Sequence, residues 1–195
     1  GDTEILDYYT AMNCFNFGMS QSEGAVARAV KGSSISTFTG YVESLQDGIY
    51  SKNSNGMMMP FLSNHDVDRI AGAFVTANYM RMAANMYLLC AGSPVIYYGE
   101  EIGMRGSRGS ESTDANRRLA MLWGDEDGIM NPVGATYPDD KQIPTTVAEQ
   151  IKDENSLYNY YCKLISFRHK DPAIARGDYS SCNYDSSVGG FSIKD

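Results

Sequence analysis

Met57-Met-Met-Pro-Phe-Leu62 is a near-continuous apolar run of strand length, and it ends at once in Ser63-Asn64-His65-Asp66. A strand that is apolar at consecutive positions is buried on both faces, which is the condition of a parallel sheet. Helical stripes flank it. Ile35, Phe38, Tyr41, Val42, Leu45 and Ile49 predict a helix over 34–50, and Lys52 to Gly56 is a turn-rich loop. Met80, Ala83, Ala84, Tyr87, Leu88 and Ala91 make a second stripe, ended by Gly92. Thr3 to Met12 reads as the end of a helix, Asn13 to Phe17 as a short strand, and Pro94 to Tyr98 as another β-prone run. Leu157, Tyr161, Leu164, Ile165 and Arg168 mark a third helix, stopped by Asp171-Pro172. This alternation means βα units around a parallel sheet, so the fold class is α/β. Residues 104–155 are polar and rich in Gly, Asp and Pro, and read as a long excursion with little regular structure, a length that marks a functional loop. From Gly177 onward, polar and aromatic residues alternate with Gly pairs, as at the start of a β-domain.

With 195 residues, 43% of them hydrophobic, the chain can bury a sizeable core. A net charge of −8 argues against nucleic acid, because phosphate contacts need clustered cations. Arg105, Arg108, Arg117 and Arg118 form the densest basic group, too thin for a phosphate-tracking stripe. No stretch approaches the roughly 20 apolar residues of a membrane span. Gly1-Asp2-Thr3-Glu4 is acidic and no apolar segment follows, so no signal peptide is read. Cys14, Cys90, Cys162 and Cys182 form no CxxC pair, which argues against zinc and against a disulfide framework. Cys90 and Cys162 fall on apolar helix faces and are expected to be buried free thiols.

Functional groups of βα architectures sit at the C-terminal ends of strands, and Asp66 lies at such an end. A carboxylate there can stabilise positive charge, act as a base or bind metal. His65 can donate to a hydroxyl or ligate metal. The plainer alternative is a capping cluster that starts the next helix, with Asp68 and Arg69 as a local ion pair. A metal site lacks a second ligand of the right kind, since His169 is the only other histidine. In the stretch Gly92 to Gly103, Gly99 is read as a turn, Glu100 and Glu101 as partners of nearby arginine, and Tyr97 and Tyr98 as packing residues.

Together, Phe61-Leu-Ser-Asn-His-Asp66 and Gly92-Ser-Pro-Val-Ile-Tyr-Tyr-Gly-Glu-Glu-Ile-Gly103 resemble the α-amylase superfamily, glycoside hydrolase family 13, at its seventh and eighth barrel strands. Arg118-Leu-Ala-Met-Leu-Trp123 is partly similar to a further stretch of that family. The resemblance implies an incomplete (β/α)8 TIM barrel: the last three or so βα units over 1–175, running into a C-terminal all-β domain over 176–195. It makes Asp66 the carboxylate that supports the distorted sugar and the transition state. It also makes His65 a donor to ring hydroxyls, places Arg69 near the next sugar and lets Arg118 reach sugar hydroxyls. Asn64, in the same substrate-binding stretch, orients the loop. His169 is far from the site.

A retaining glycosidase needs a nucleophile and an acid/base carboxylate, about 5 Å apart. The family takes them from strands upstream of this stretch, so both chain ends are expected to be truncations and the chain alone to be inactive. Open strand edges would then favour self-association. The resemblance implies an α-glucan or oligosaccharide substrate, no cofactor within this chain, and a calcium of the parent held mainly by upstream residues. A transglycosylase or isomerase of the same superfamily, or a non-catalytic relative, stays open. So does localisation, extracellular, cell-surface or cytoplasmic.

Overall fold

The computed structural model describes residues 2–74, 76–110, 112–124, 129–185 and 187–194, with the side chains of residues 2 and 3 left out. Gly1 and Asp195, where the expected truncations fall, lie outside the described residues. The chain opens with α1 (Asp2–Leu6), a 3-10 turn (Asp7–Thr10) and β1 (Phe15–Asn16). Next come α2 (Ala25–Val30), α3 (Ile35–Lys52) and β2 (Met59–Pro60). A 3-10 turn (Ile70–Ala73) leads into α4 (Ala77–Leu88). Three further 3-10 turns (Glu100–Ile102, Asp114–Arg117 and Asp139–Lys141) precede α5 (Val147–Gln150), α6 (Leu157–Lys170) and α7 (Ala173–Arg176). The chain then forms a hairpin of β3 (Asp178–Ser181) and β4 (Phe191–Lys194).

β1 and β2 pair in parallel, Phe15 opposite Met59 and Asn16 opposite Pro60. On its other side β2 meets the 94–98 segment through a parallel bridge between Phe61 and Val95. That seam is thin for a chemical reason. The Pro60 carbonyl accepts from Val95 N (2.9 Å), but proline has no N–H to return on that side. The expected strands at 57–62 and 94–98 therefore form only a two-residue ladder and a single bridge. Period-two alternation still sorts the side chains. Met58 and Leu62 join the main core under the helices. Phe61 points to the other face, where Phe15 and Phe17 meet it edge-on at 5.5 and 5.0 Å.

The helices cover the sheet with the stripes the sequence predicts. α3 buries Phe38, Val42, Leu45 and Ile49, and α4 buries Met80, Ala83, Ala84, Tyr87 and Leu88. α2 falls where no element was expected; it is too short to show a periodic stripe, yet Val26 and Val30 are buried. Gly92 turns the chain after α4 at φ +100°, and a Cβ there would stand 2.3 Å from the Met58 carbonyl oxygen. The Arg168 guanidinium donates to the carbonyls of Leu88 and Cys90, both at 2.8 Å, and of Gly92. It thereby satisfies groups that a helix end leaves open. Cys90 is buried as expected, and burial pushes its thiol up to about 12. Cys162 is exposed, which corrects the expectation of a buried thiol: its position on α6 faces outward.

The 104–155 excursion carries two of the 3-10 turns and α5, and is not structureless. It closes around a small second core of Ile102, Met104, Leu119 and Val147. The β3–β4 hairpin packs through Tyr179, which is stacked on Phe191 at 4.9 Å and buried in the main core. Gln46 of α3 fastens it: its side-chain oxygen accepts from Tyr179 N (2.6 Å) and its amide donates to the Gly177 carbonyl (3.2 Å). Gln46→Leu keeps the bulk but leaves both main-chain groups unpaired, so it should lower stability by about 2 kcal/mol, read as a reduced denaturant midpoint of the intact protein.

Candidate active site

The loop after β2 is shaped by its own short polar side chains. Asn64 Oδ1 accepts from Asp66 N (2.8 Å) and Val67 N (3.0 Å), an Asx turn that bends the chain as it leaves the sheet. Ser63, almost fully buried, accepts at Oγ from Ile70 N (2.8 Å) and closes the loop from below. His65 and Asp66 are thus lifted into solvent, each side chain more than half exposed, with His65 Nε2 3.3 Å from Asp66 Oδ2.

The excursion reaches back over this loop with arginines. Arg118 Nη2 lies 3.3 Å from Asp66 Oδ1, and Arg118 Nε donates to the His65 carbonyl (3.1 Å). Arg117 donates from Nε to Asp68 Oδ1 (2.7 Å), and from Nη1 to the Asp66 carbonyl (2.8 Å) and to Asp114 Oδ1 (2.9 Å). Arg108 adds a contact to Asp114 (3.2 Å), and its main-chain N–H donates to Asp68 Oδ1 (2.9 Å). Asp68 therefore pairs with Arg117, and not with its neighbour Arg69 as the plainer alternative had it. These aspartates already have arginine partners, and among the described residues no group of three or more His, Cys, Asp and Glu could hold a metal ion. The donor set does not fit calcium.

His65, Asp66 and Arg118 stand together on one open face, with Asn64 as the turn beneath them. Arg69 does not join them. It is 3% exposed, donates from Nη1 to the Tyr98 carbonyl (2.6 Å), and its guanidinium carbon lies 4.6 Å from the centres of both the Tyr97 and Tyr98 rings. Burial lowers its pKa, with Tyr98, Tyr97 and Glu100 opposing the shift. Gly106 lets the excursion lie against this arginine: its carbonyl accepts from Arg69 N (2.9 Å), and a Cβ would meet the Asn116 carbonyl oxygen at 2.2 Å. Tyr97 and Tyr98 act as packing residues and also bind the excursion, donating to the carbonyls of Arg117 (3.2 Å) and Leu119 (2.7 Å).

Glu100 was expected to pair with arginine; its hydrogen bonds are instead with tyrosines. It is buried, and its Oε1 accepts from Tyr87 (2.6 Å) and Tyr161 (3.1 Å), one residue from each flanking helix. Burial pushes the carboxyl up to about 7, with the two tyrosine hydroxyls pulling it down and Glu101 pushing further up. Nothing in the local sequence marks this, because the tyrosines lie 13 and 61 positions away. A mainly apolar cavity of about 300 Å³ lies elsewhere, between α4 and the excursion, walled by Phe74, Met80, Ile102 and Ile143; it holds none of the expected site residues.

The family model described as alpha amylase, catalytic domain, matches residues 7–177. This chain belongs to the α-amylase family. The resemblance carried by Phe61–Asp66 and Gly92–Gly103 is therefore one of membership, and the fold is that of the family's barrel-type catalytic domain. The chain is 39% identical over 118 residues to the α-amylase SusG of Bacteroides thetaiotaomicron, 60% of this chain and 17% of that protein. It is 30% identical over 181 residues to α-amylase 3 of Dictyoglomus thermophilum, 89% of this chain and 34% of that one. It superposes on Eubacterium rectale Amy13B with a TM-score of 0.89 at 30% identity, over 100% of this chain and 39% of that chain. The chain thus spans about a third or less of the length of these two α-amylase relatives.

Glu100 makes a pH-dependent contribution to the α-amylase fold here. Its native carboxyl keeps the proton to about pH 7, against 4.5 for the ordinary group. Its contribution is therefore complete below about pH 4.5 and lost as pH rises through about 7, a swing of about 3 kcal/mol. Glu100→Gln, neutral at every pH, should flatten the fall of stability between those two pH values, as followed by chemical denaturation across a pH series.

Proposed function

We propose that the intact protein is a retaining, α-amylase-like glycoside hydrolase that cleaves α-1,4-glucosidic bonds in starch or maltooligosaccharides, and that this chain is one wall of its active site. The observation that carries the proposal is the exposed His65–Asp66 pair at the C-terminal end of β2, with the carboxylate held 3.3 Å from both His65 Nε2 and Arg118 Nη2. A carboxylate so placed can face positive charge developing on a sugar ring without being neutralised by burial. His65 then donates to ring hydroxyls of the sugar being cleaved, and Arg118 turns from Asp66 to sugar oxygens when substrate arrives. Arg69 serves the next sugar indirectly, through the Tyr97–Tyr98 platform it holds. Asn64 fixes the turn that presents all of them.

In this reading, residues 1–175 supply the last βα units of a (β/α)8 barrel and 176–195 begin an antiparallel β-domain. The nucleophile and acid/base carboxylates come from other strands of the barrel, as does the binding site of any calcium the enzyme holds. The relatives named α-amylase support hydrolysis, while relatives named neopullulanase and oligo-1,6-glucosidase widen the range of linkages. Transfer in place of hydrolysis would use the same wall, and analysis of products from maltooligosaccharides separates the two.

Asp66→Asn in the intact protein should lower kcat on soluble starch at least a hundredfold, roughly the loss seen when a charge-stabilising group is removed; near-normal turnover would remove Asp66 from the mechanism. The isolated 195-residue chain should be inactive and should self-associate through the β1 edge, where Phe15 and Phe17 are 44% and 50% exposed. A monodisperse monomer in concentrated solution by light scattering would contradict that association.

A further inference from the structure

Arg117 differs from the other arginines around the site. Its side chain is only 14% exposed, against 45% for Arg118 and 50% for Arg108. It touches no atom of the Asp66 carboxylate. Its fork spans the loop instead: Nη1 holds the Asp66 main-chain carbonyl at 2.8 Å and Nε holds the Asp68 carboxylate, two residues on, at 2.7 Å. Asp114, in the same 3-10 turn, accepts from the same Nη1 at 2.9 Å and further fixes the guanidinium. Tyr97 donates to the Arg117 carbonyl at 3.2 Å and ties the arginine's own backbone to the neighbouring strand segment. On the near side the loop is closed by Asn64 and Ser63. On the far side Arg117, the Arg108 N–H and Arg118, whose Nε holds the His65 carbonyl, fix it, and of these Arg117 is the one bonded to the Asp66 carbonyl.

We propose that Arg117 is a positioning residue for the reaction: it sets the backbone at Asp66 and so makes the excursion a structural part of the active site. The guanidinium presents its donors in a fixed planar fork, a geometry that the rotatable ammonium of lysine on its flexible stem does not reproduce. The proposal rests on the reading of Asp66 as the carboxylate that supports the transition state. If that carboxylate shifts by about 1 Å, the loss falls on the chemical step and reaches about a hundredfold.

The test uses the full-length protein. Arg117→Ala and Arg117→Lys are made in the wild-type and Asp66→Asn backgrounds, with kcat and KM measured on a chromogenic maltooligosaccharide and denaturation midpoints measured alongside. Arg117→Ala should lower kcat about a hundredfold while KM changes less than about threefold, and Arg117→Lys should lower kcat about tenfold at an unchanged midpoint. In the Asp66→Asn background either change should cost less than about threefold, because the residue it positions is gone. A kcat within about twofold of wild type in both variants, or the same loss in both backgrounds, overturns the proposal. Should Arg117→Ala fail to fold, Arg117→Lys carries both comparisons. Normal turnover by Asp66→Asn itself would instead sink the reading of Asp66, a result distinct from any outcome for Arg117.

Discussion

β2 is enclosed from two sides by different partners, and the rest of the structure is arranged around that constraint. Met58 and Leu62 commit one face to the helical core, while Phe61 commits the other to Phe15 and Phe17. A strand pinned on both faces cannot slip by one residue without exchanging the two sets. Its end is therefore a fixed point in space, and the Asx turn at Asn64 starts from that fixed point. The exposed His65–Asp66 pair inherits its position from the packing of side chains on the two faces of β2.

The charge around the loop follows a second logic. Asp66, Asp68 and Asp114 would repel one another if left alone, and Arg108, Arg117 and Arg118 of the excursion answer them. Exposed pairs of this kind contribute little each, about 0–1 kcal/mol. Their value lies in geometry, because guanidinium forks fix directions that point charges do not. A segment with little regular structure is in this way held against the loop after β2 by side chains and closed by its own small core.

Periodicity made the long elements legible: 34–50 became Ile35–Lys52, and the stripe from Met80 became Ala77–Leu88. The strand positions were legible too, but not how short their ladders are, since that depends on which side of Pro60 faces a neighbour. His65, Asp66 and Arg118 could be brought together in advance only through the family resemblance. His65 and Arg118 lie 53 positions apart, and no local pattern measures such a closure. The contacts of Arg69 and Glu100 lay out of reach of the sequence for the same reason. Their surroundings, a tyrosine pair and two tyrosines from separate helices, are assembled by the fold and not by adjacent residues.

The contacts between α4 and α6 run along both helices. Arg81 meets the Asn155 carbonyl and the Tyr160 ring, Asn85 accepts from Tyr160 at 2.9 Å, and Tyr87 and Tyr161 share Glu100. Arg168 closes the series on the carbonyls that follow α4. Sliding one helix past the other by a single turn, about 5.4 Å, would break all of them together. The two helices must then move as one rigid body.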